Sequence, residues 1–204
     1  MTELAKVDGM IGSTVFAINL LAIPSEKTRA ILSDIQELVL RYLPQGSLFR
    51  CPVISLHMSL FQFVHSRKAK SNHEKQVWDV LSKTLISDLD SVTDKTKAFS
   101  VNTPSIRVSE SAIILQFSES REIEFLRNRL TSIVSATELN WNRPDIQHVS
   151  MFRYLKPIQL NEVRTTIDSI KLPRIDWNIS ELQLVKEKLY PSLEFTKIQN
   201  YTLS

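Results

Sequence analysis

Three glycines, Gly9, Gly12 and Gly46, serve a chain of 204 residues. A Walker-type loop or a dinucleotide fingerprint needs several glycines within a few positions, so that backbone amides can cradle phosphate. Neither can be built here. Cysteine is rarer still. Cys51 stands alone, which excludes an intrachain disulfide and a thiolate metal cluster and leaves it as a small buried hydrophobe. The apolar run over 15–23 is far too short to span a bilayer. No block of like charge is long enough to act as a nucleic-acid tail. The densest basic run, Arg67-Lys68-Ala69-Lys70, reads as a solvated loop. Near the N-terminus Glu3 and Asp8 offset Lys6, so the basic region of a signal peptide is missing. No stretch has linker or low-complexity composition. A soluble protein of a reducing compartment, most simply the cytoplasm, is expected.

What remains is ordinary globular composition, 43% hydrophobic and 23% charged. The length suits one large domain or two small lobes sharing a core. A net charge of +3 is compatible with a phosphate-bearing ligand without demanding one.

Residues 14–23 read as a buried strand ending at Pro24. Ser25 then caps a helix to about residue 42, with Ile31, Ile35, Leu38, Val39 and Tyr42 facing inward. Pro44-Gln45-Gly46 closes that helix. A strand follows over 54–64 and a helix over 72–86, the latter with Val77, Leu81 and Leu85 inward. Residues 99–108 are extended and broken at Pro104, and Ser109-Glu110-Ser111 turns into a strand over 112–117. Ser118 caps a helix over 119–137. A strand over 146–155, a short helix over 161–170 and two closing strands over 177–188 and 193–203 complete the pattern.

The two halves repeat one plan: apolar strand, serine-capped helix, then a strand opening with His-x-Ser. Each histidine lies roughly 40 residues beyond the start of its half's first strand, as duplication would give. The copies are Leu56-His57-Met58-Ser59-Leu60-Phe61-Gln62-Phe63 and Gln147-His148-Val149-Ser150-Met151-Phe152-Arg153-Tyr154. Strict alternation puts His57, Ser59, Phe61 and Phe63 on one face, and His148, Ser150, Phe152 and Tyr154 on one face of the other strand. Arg153 is then expected on the face opposite His148. Two histidines bonded to neighbouring serines in a core are the bland alternative. Matched polar insertions in apolar strands would then cost stability with no return.

The set suits phosphodiester cleavage. One group must activate the attacking oxygen and another must protonate the leaving oxygen. Imidazoles titrate near neutrality, so one neutral and one protonated ring can share the work. The serine hydroxyls can hold non-bridging phosphate oxygens. Neither histidine has a second histidine or a carboxylate beside it on its strand face, so no metal is expected.

The two His-x-Ser strands resemble the signature of the 2H phosphoesterase superfamily, which includes 2′-5′ RNA ligase-like proteins and cyclic phosphodiesterases. The resemblance runs over 15–203 and takes in Glu181-Leu182-Gln183-Leu184-Val185-Lys186-Glu187-Lys188-Leu189-Tyr190-Pro191 as a closing strand and turn. It implies an α+β fold forming one bilobal domain over 1–204, with two pseudo-symmetric antiparallel-sheet lobes and outer helices around a central groove. It implies catalytic His57 and His148, phosphate-binding Ser59 and Ser150, no cofactor, and a nucleotide or RNA substrate with a 2′,3′-cyclic phosphate, a 2′-5′ linkage or an RNA 3′ end. Phe61, Phe152, Tyr154, Tyr190, Lys186, Lys188 and Arg143 are candidates for lining the groove or stacking on a base. His65 and His73 lack the motif and are expected at the surface. A monomer with no membrane or metal partner is expected. Ligation in the reverse direction and a non-catalytic nucleotide- or RNA-binding module are the alternative functions.

Overall fold

In the computed structural model, which describes residues 3–44, 46–65, 72–102 and 104–204, the chain alternates strands and helices. The order is β1 (Thr14–Ala22), α1 (Glu26–Leu40), β2 (Leu48–Arg50), a 3-10 turn (Val53–Ser55), β3 (Met58–Val64), α2 (Asn72–Thr93), β4 (Phe99–Asn102) and β5 (Ser105–Val108). It continues with β6 (Ala112–Gln116), α3 (Arg121–Val134), β7 (His148–Tyr154), α4 (Leu160–Asp168), β8 (Asp176–Ile179), β9 (Glu181–Leu189) and β10 (Glu194–Thr202). The Arg67-Lys68-Ala69-Lys70 run lies outside the described residues.

The main sheet has the order β10-β9-β1-β3-β7-β6-β5, with β2 added to β7, and every pairing is antiparallel. β4 and β8 form a separate two-stranded sheet. Read outward from its centre, the main sheet repeats itself: β3, β1, β9 on one side and β7, β6, β5 on the other. At the centre β3 and β7 join at a single residue pair, Met58 with Val149. The fold is α+β, with helices on a mostly antiparallel sheet.

Local chemistry explains where elements start and stop. Ser25 accepts a hydrogen bond from the Thr28 amide at 3.2 Å and caps α1. The inward face of α1 is Leu32, Ile35, Gln36 and Val39. Ile31 and Leu38 are only partly buried, and Tyr42, expected inward, is exposed because the helix ends at Leu40. α3 starts two residues later than its sequence suggested. Ser118 turns its hydroxyl to the Asn102 carbonyl (3.2 Å), and Ser120 takes the cap, accepting from the Ile123 amide (3.4 Å). α2 continues past residue 86 to Thr93, since no breaker interrupts it and Leu85, Leu89 and Val92 extend its buried stripe. Of the strand expected over 54–64, only Met58–Val64 pairs. After Pro52 the chain makes a 3-10 turn, which brings the Ser55 carbonyl beneath His57.

Candidate active site

β3 and β7 run antiparallel and meet where the two motifs begin. With Met58 paired to Val149, the same register sets His57 across from Ser150 and Ser59 across from His148. Cross-strand neighbours lie about 5 Å apart at Cβ and diagonal ones about 7–8 Å. Two imidazoles and two hydroxyls, remote in sequence, thus converge around the pseudo-twofold axis. All four line one groove of about 710 Å³.

Beyond the serines, alternation breaks. On β3, Leu21 pairs with Ser59 and Leu20 with Phe61, so Leu60 is an inserted residue; Phe63 is another. On β7, Ile114 pairs with Ser150 and Ile113 with Phe152, so Met151 is inserted. Leu60 and Met151 both stand three residues after a histidine. Each is a β-bulge, and each reverses the facing of the strand residues beyond it. The groove therefore receives His57, Ser59 and Gln62 from one strand, and His148, Ser150 and Arg153 from the other. Phe61, Phe63, Phe152 and Tyr154 turn into the core, each fully buried. Phe61 packs on Phe63 and Trp141 at centroid distances of 5.2 and 6.0 Å, and the Tyr154 hydroxyl donates to the Ser109 carbonyl at 3.1 Å. Phe61, Phe152 and Tyr154, candidates for base stacking, do not line the groove. Arg153, expected on the opposite face, is in it.

The imidazoles are held alike. His57 Nδ1 lies 2.7 Å from the Ser55 carbonyl, and His148 Nδ1 lies 3.4 Å from the Ile146 carbonyl, two residues upstream in each case. A carbonyl oxygen only accepts, so Nδ1 carries the proton and Nε2 is the nitrogen left for a ligand. Burial pushes both histidines below the ordinary imidazole range, His148 to about 4, and the nearby Arg153 cation lowers both further. Ligand-free, both rings are neutral at pH 7.

Around them the two halves differ. Arg153 Nη2 donates to Ser150 Oγ at 3.1 Å, its guanidinium lies 5.8 Å from the Tyr190 ring centroid, and Nη1 lies 3.9 Å from Asp8. The equivalent Gln62 sits in a line of amides. Asn142 donates to Gln62 (2.8 Å), Gln62 to Asn19 (3.4 Å) and Asn19 to Glu187 (3.2 Å). Buried Glu187, its carboxyl pushed up by desolvation, also accepts from the Ser192 amide at the Tyr190-Pro191-Ser192 turn.

Among the remaining candidates, Tyr190 lines the groove, with its hydroxyl donating to Asp8 at 3.1 Å. Lys186, Lys188 and Arg143 are not among the lining residues. Lys186 lies over the Phe16 ring, 5.3 Å from Nζ to its centroid, and Lys188 pairs with Glu194 at 3.1 Å. The intervening Glu187 takes the groove-facing side of β9 instead. Arg143 pairs with Glu124. His65, expected at the surface, lines the groove; His73 approaches Glu138 at 3.7 Å. Cys51 is a neutral lining residue whose thiol burial pushes up to about 11. Sequence reading missed Gln62, Asn142, Asn19 and Glu187 and put Arg153 on the wrong face. The available signal was Gln62 and Arg153 themselves, polar residues between aromatics at positions that alternation would have buried. Among the described residues no three His, Cys, Asp or Glu side chains form a metal-ligand set. No described helix is long and apolar enough to cross a membrane.

No family model and no curated relative matches the chain by sequence. Solved structures do match it in shape. TT0787 of Thermus thermophilus superposes with a TM-score of 0.61 at 15% identity, over 92% of this chain and 97% of that one. A protein described as a phosphoesterase gives 0.63 at 12% identity, over 93% and 99%. Escherichia coli LigT in complex with 3′-AMP gives 0.57 at 11% identity, over 94% and 99%. At such identities it is the fold that is shared, over nearly the whole of each chain.

Proposed function

The chain has the fold of the 2H phosphoesterases, and from that premise we propose that it is a metal-independent phosphodiesterase working by two-histidine acid/base catalysis. The observation that carries this reading is the matched pair of imidazoles. Each has Nδ1 tied to the carbonyl two residues upstream, and each faces the other half's serine across one groove. The substrate is a nucleotide or RNA phosphodiester: a 2′,3′-cyclic phosphate, a 2′-5′ linkage or an RNA 3′ end. LigT has been solved with 3′-AMP, NADP+, ATP and phosphate. The groove here has room for a ligand of that kind, with His57, Ser59, His148, Ser150 and Arg153 around its phosphate.

In the reaction, one imidazole Nε2 takes a proton from water as the water oxygen bonds to phosphorus. The scissile P–O bond breaks, and the departing oxygen receives the proton carried by the other Nε2. Arg153 already donates to Ser150 Oγ, so the Ser150 hydroxyl proton is left for a phosphate oxygen. Arg153 lines the groove, so its cation stands beside the phosphate position. Because both rings are neutral when the groove is empty, the acid must gain its proton together with the anion, whose charge raises the imidazole pKa. Intact imidazoles in both halves favour catalysis over a binding-only module.

The test is a screen of 2′,3′-cyclic mononucleotides, 2′-5′ dinucleotides and cyclic oligonucleotides in EDTA. Turnover of at least one class, undiminished by the chelator, is expected. No turnover of any class, or loss on chelation restored by a divalent ion, rejects the reading.

A further inference from the structure

The two bulges that re-aim the motif strands need support. A bulge departs from the regular ladder, and the carbonyls of its inserted residue must find donors inside the core. Two buried polar side chains supply them. Arg127 of α3 is wholly buried, and its Nε donates to the Leu60 carbonyl at 3.1 Å. Gln36 of α1 is wholly buried, and its Nε2 donates to the Met151 carbonyl at 3.0 Å and to the Cys51 carbonyl at 2.9 Å. The pairing is crossed. α1 belongs to the half that carries His57, yet Gln36 braces the bulge after His148. α3 belongs to the half that carries His148, yet Arg127 braces the bulge after His57.

The choice of residue follows the backbone. In one half the Cys51 amide already donates to the Met151 carbonyl at 3.1 Å, and a neutral amide completes the set. Cys51 stands two residues beyond Phe49, the ladder partner of Arg153. In the other half the partner of Gln62 is Asn142, and two residues beyond it stands Pro144, which has no N–H to give. The guanidinium does more there. Arg127 Nη2 also reaches the Ile146 carbonyl at 3.2 Å, the same oxygen that faces His148 Nδ1. Each brace is itself oriented: Arg50 Nε donates to Gln36 Oε1 at 3.0 Å, and Glu124 lies 3.7 Å from Arg127 Nη1.

We propose that Gln36 and Arg127 are positioning residues for the reaction, each holding from the opposite half the bulge that sets the histidine, the serine two residues on and the polar residue five on facing one groove. The proposal rests on the phosphodiesterase reading for its activity arm alone. Neither residue lines the groove, so each acts through the strand it braces. Burying a guanidinium and an amide under apolar helices is costly unless both are fully bonded. An apolar residue of the same size would fill the space but would leave the Leu60 carbonyl without the donor that Arg127 supplies and the Met151 carbonyl with one donor fewer.

The test begins on the ligand-free protein, with histidine ring 15N spectra assigned by single histidine replacements. Gln36→Met should shift the His148 ring nitrogens well beyond any shift at His57, which Gln36 reaches only through the Cys51 carbonyl and the turn after it. Arg127→Met should shift both, through Leu60 on one side and Ile146 on the other, and Arg127→Lys should restore part of the His57 signal. Val39→Ala, an apolar deletion on the same face of α1 as Gln36, should lower the Tm without moving either ring. If Gln36→Met does not fold, Gln36→Asn keeps the amide but withdraws it by one methylene and should give the same shift, larger at His148. On any substrate the wild type cleaves, kcat should fall about 10–100-fold with KM within about threefold, as misaligned groups predict. A Gln36 variant that folds and moves both rings equally, or neither, overturns the proposal, as does a loss confined to KM. If the wild type cleaves nothing in the screen, the phosphodiesterase reading fails, and the ring shifts still decide the bracing.

Discussion

The half built around His57 and the half built around His148 agree in everything that aims an imidazole and differ in what stands beside it. Both begin with a histidine whose Nδ1 meets the carbonyl two residues back. Both place a serine two residues on and a bulge three residues on. The divergence is five residues on, at Gln62 in one half and Arg153 in the other. Gln62 is one link in a chain of neutral amides running from Asn142 to the Glu187 carboxylate. Arg153 brings a cation to Ser150. Symmetry is kept in the groups to which the proposed mechanism gives proton transfer on opposite sides of one phosphorus. It is broken where an anion needs one strong anchor, since a second buried cation would go unpaired whenever the groove is empty.

The sharpest way to break the comparison is to remove the shared part. His57→Ala and His148→Ala should each lower kcat by about 10²–10⁴-fold, and the double variant should be little worse than either, because acid and base act as a unit. Full activity in either single variant would make that half's motif a structural relic. Next comes the unshared part. Arg153→Gln copies the first half into the second. A charged hydrogen bond is worth about 1.5–3 kcal/mol, so the Kd for inorganic phosphate by calorimetry should rise by roughly tenfold to a hundredfold. Gln62→Ala should change it by less than about threefold. Equal effects would mean that the halves share the anion. Ser59→Ala and Ser150→Ala should cost about tenfold each in kcat/KM, a hydrogen bond rather than a proton shuttle.

The mildest test concerns pH. Folded His148 titrates at about 4 against an ordinary 6.5. Between those values the unfolded chain binds a proton that the folded chain does not. Stability contributed by this group is therefore complete above 6.5 and is lost as pH falls towards 4, by about 3 kcal/mol in all. His57 acts in the same direction. Buried Glu187, whose carboxyl is raised, acts in the opposite one, its contribution present at low pH and lost as pH rises. Urea unfolding of wild type and His148→Ala between pH 7 and 4 isolates the His148 share: the stability difference between the two should change across that window. A constant difference would place His148 in water rather than in a desolvated groove. In the same window phosphate should bind with uptake of a proton, its Kd rising with pH.

The two-strand site was legible in the sequence because imidazole and hydroxyl in an apolar strand are expensive to bury, and two matched copies are hard to explain by packing. Strand and helix identities follow largely from periodicity, the pseudo-twofold relation of the two motif strands from the repeat, and the antiparallel α+β architecture from the family resemblance. What misled was the assumption of unbroken alternation. A bulge is set by which partner residue stands opposite, and that depends on β1 and β6, far off in the chain. Hence Phe61, Phe152 and Tyr154, groove candidates by alternation, are core, while Arg153, expected on the far face, lines the groove. β2 escaped notice because three residues carry no period of their own and pair only because β7 offers an edge. The sequence by itself determined which residues could do chemistry, since residue type and local spacing set proton affinity and strand direction. Tertiary structure alone decided which of them meet. The register of β3 against β7, the two inserted residues and the crossed braces from Gln36 and Arg127 are all contacts between segments too far apart in the chain for local pattern to record.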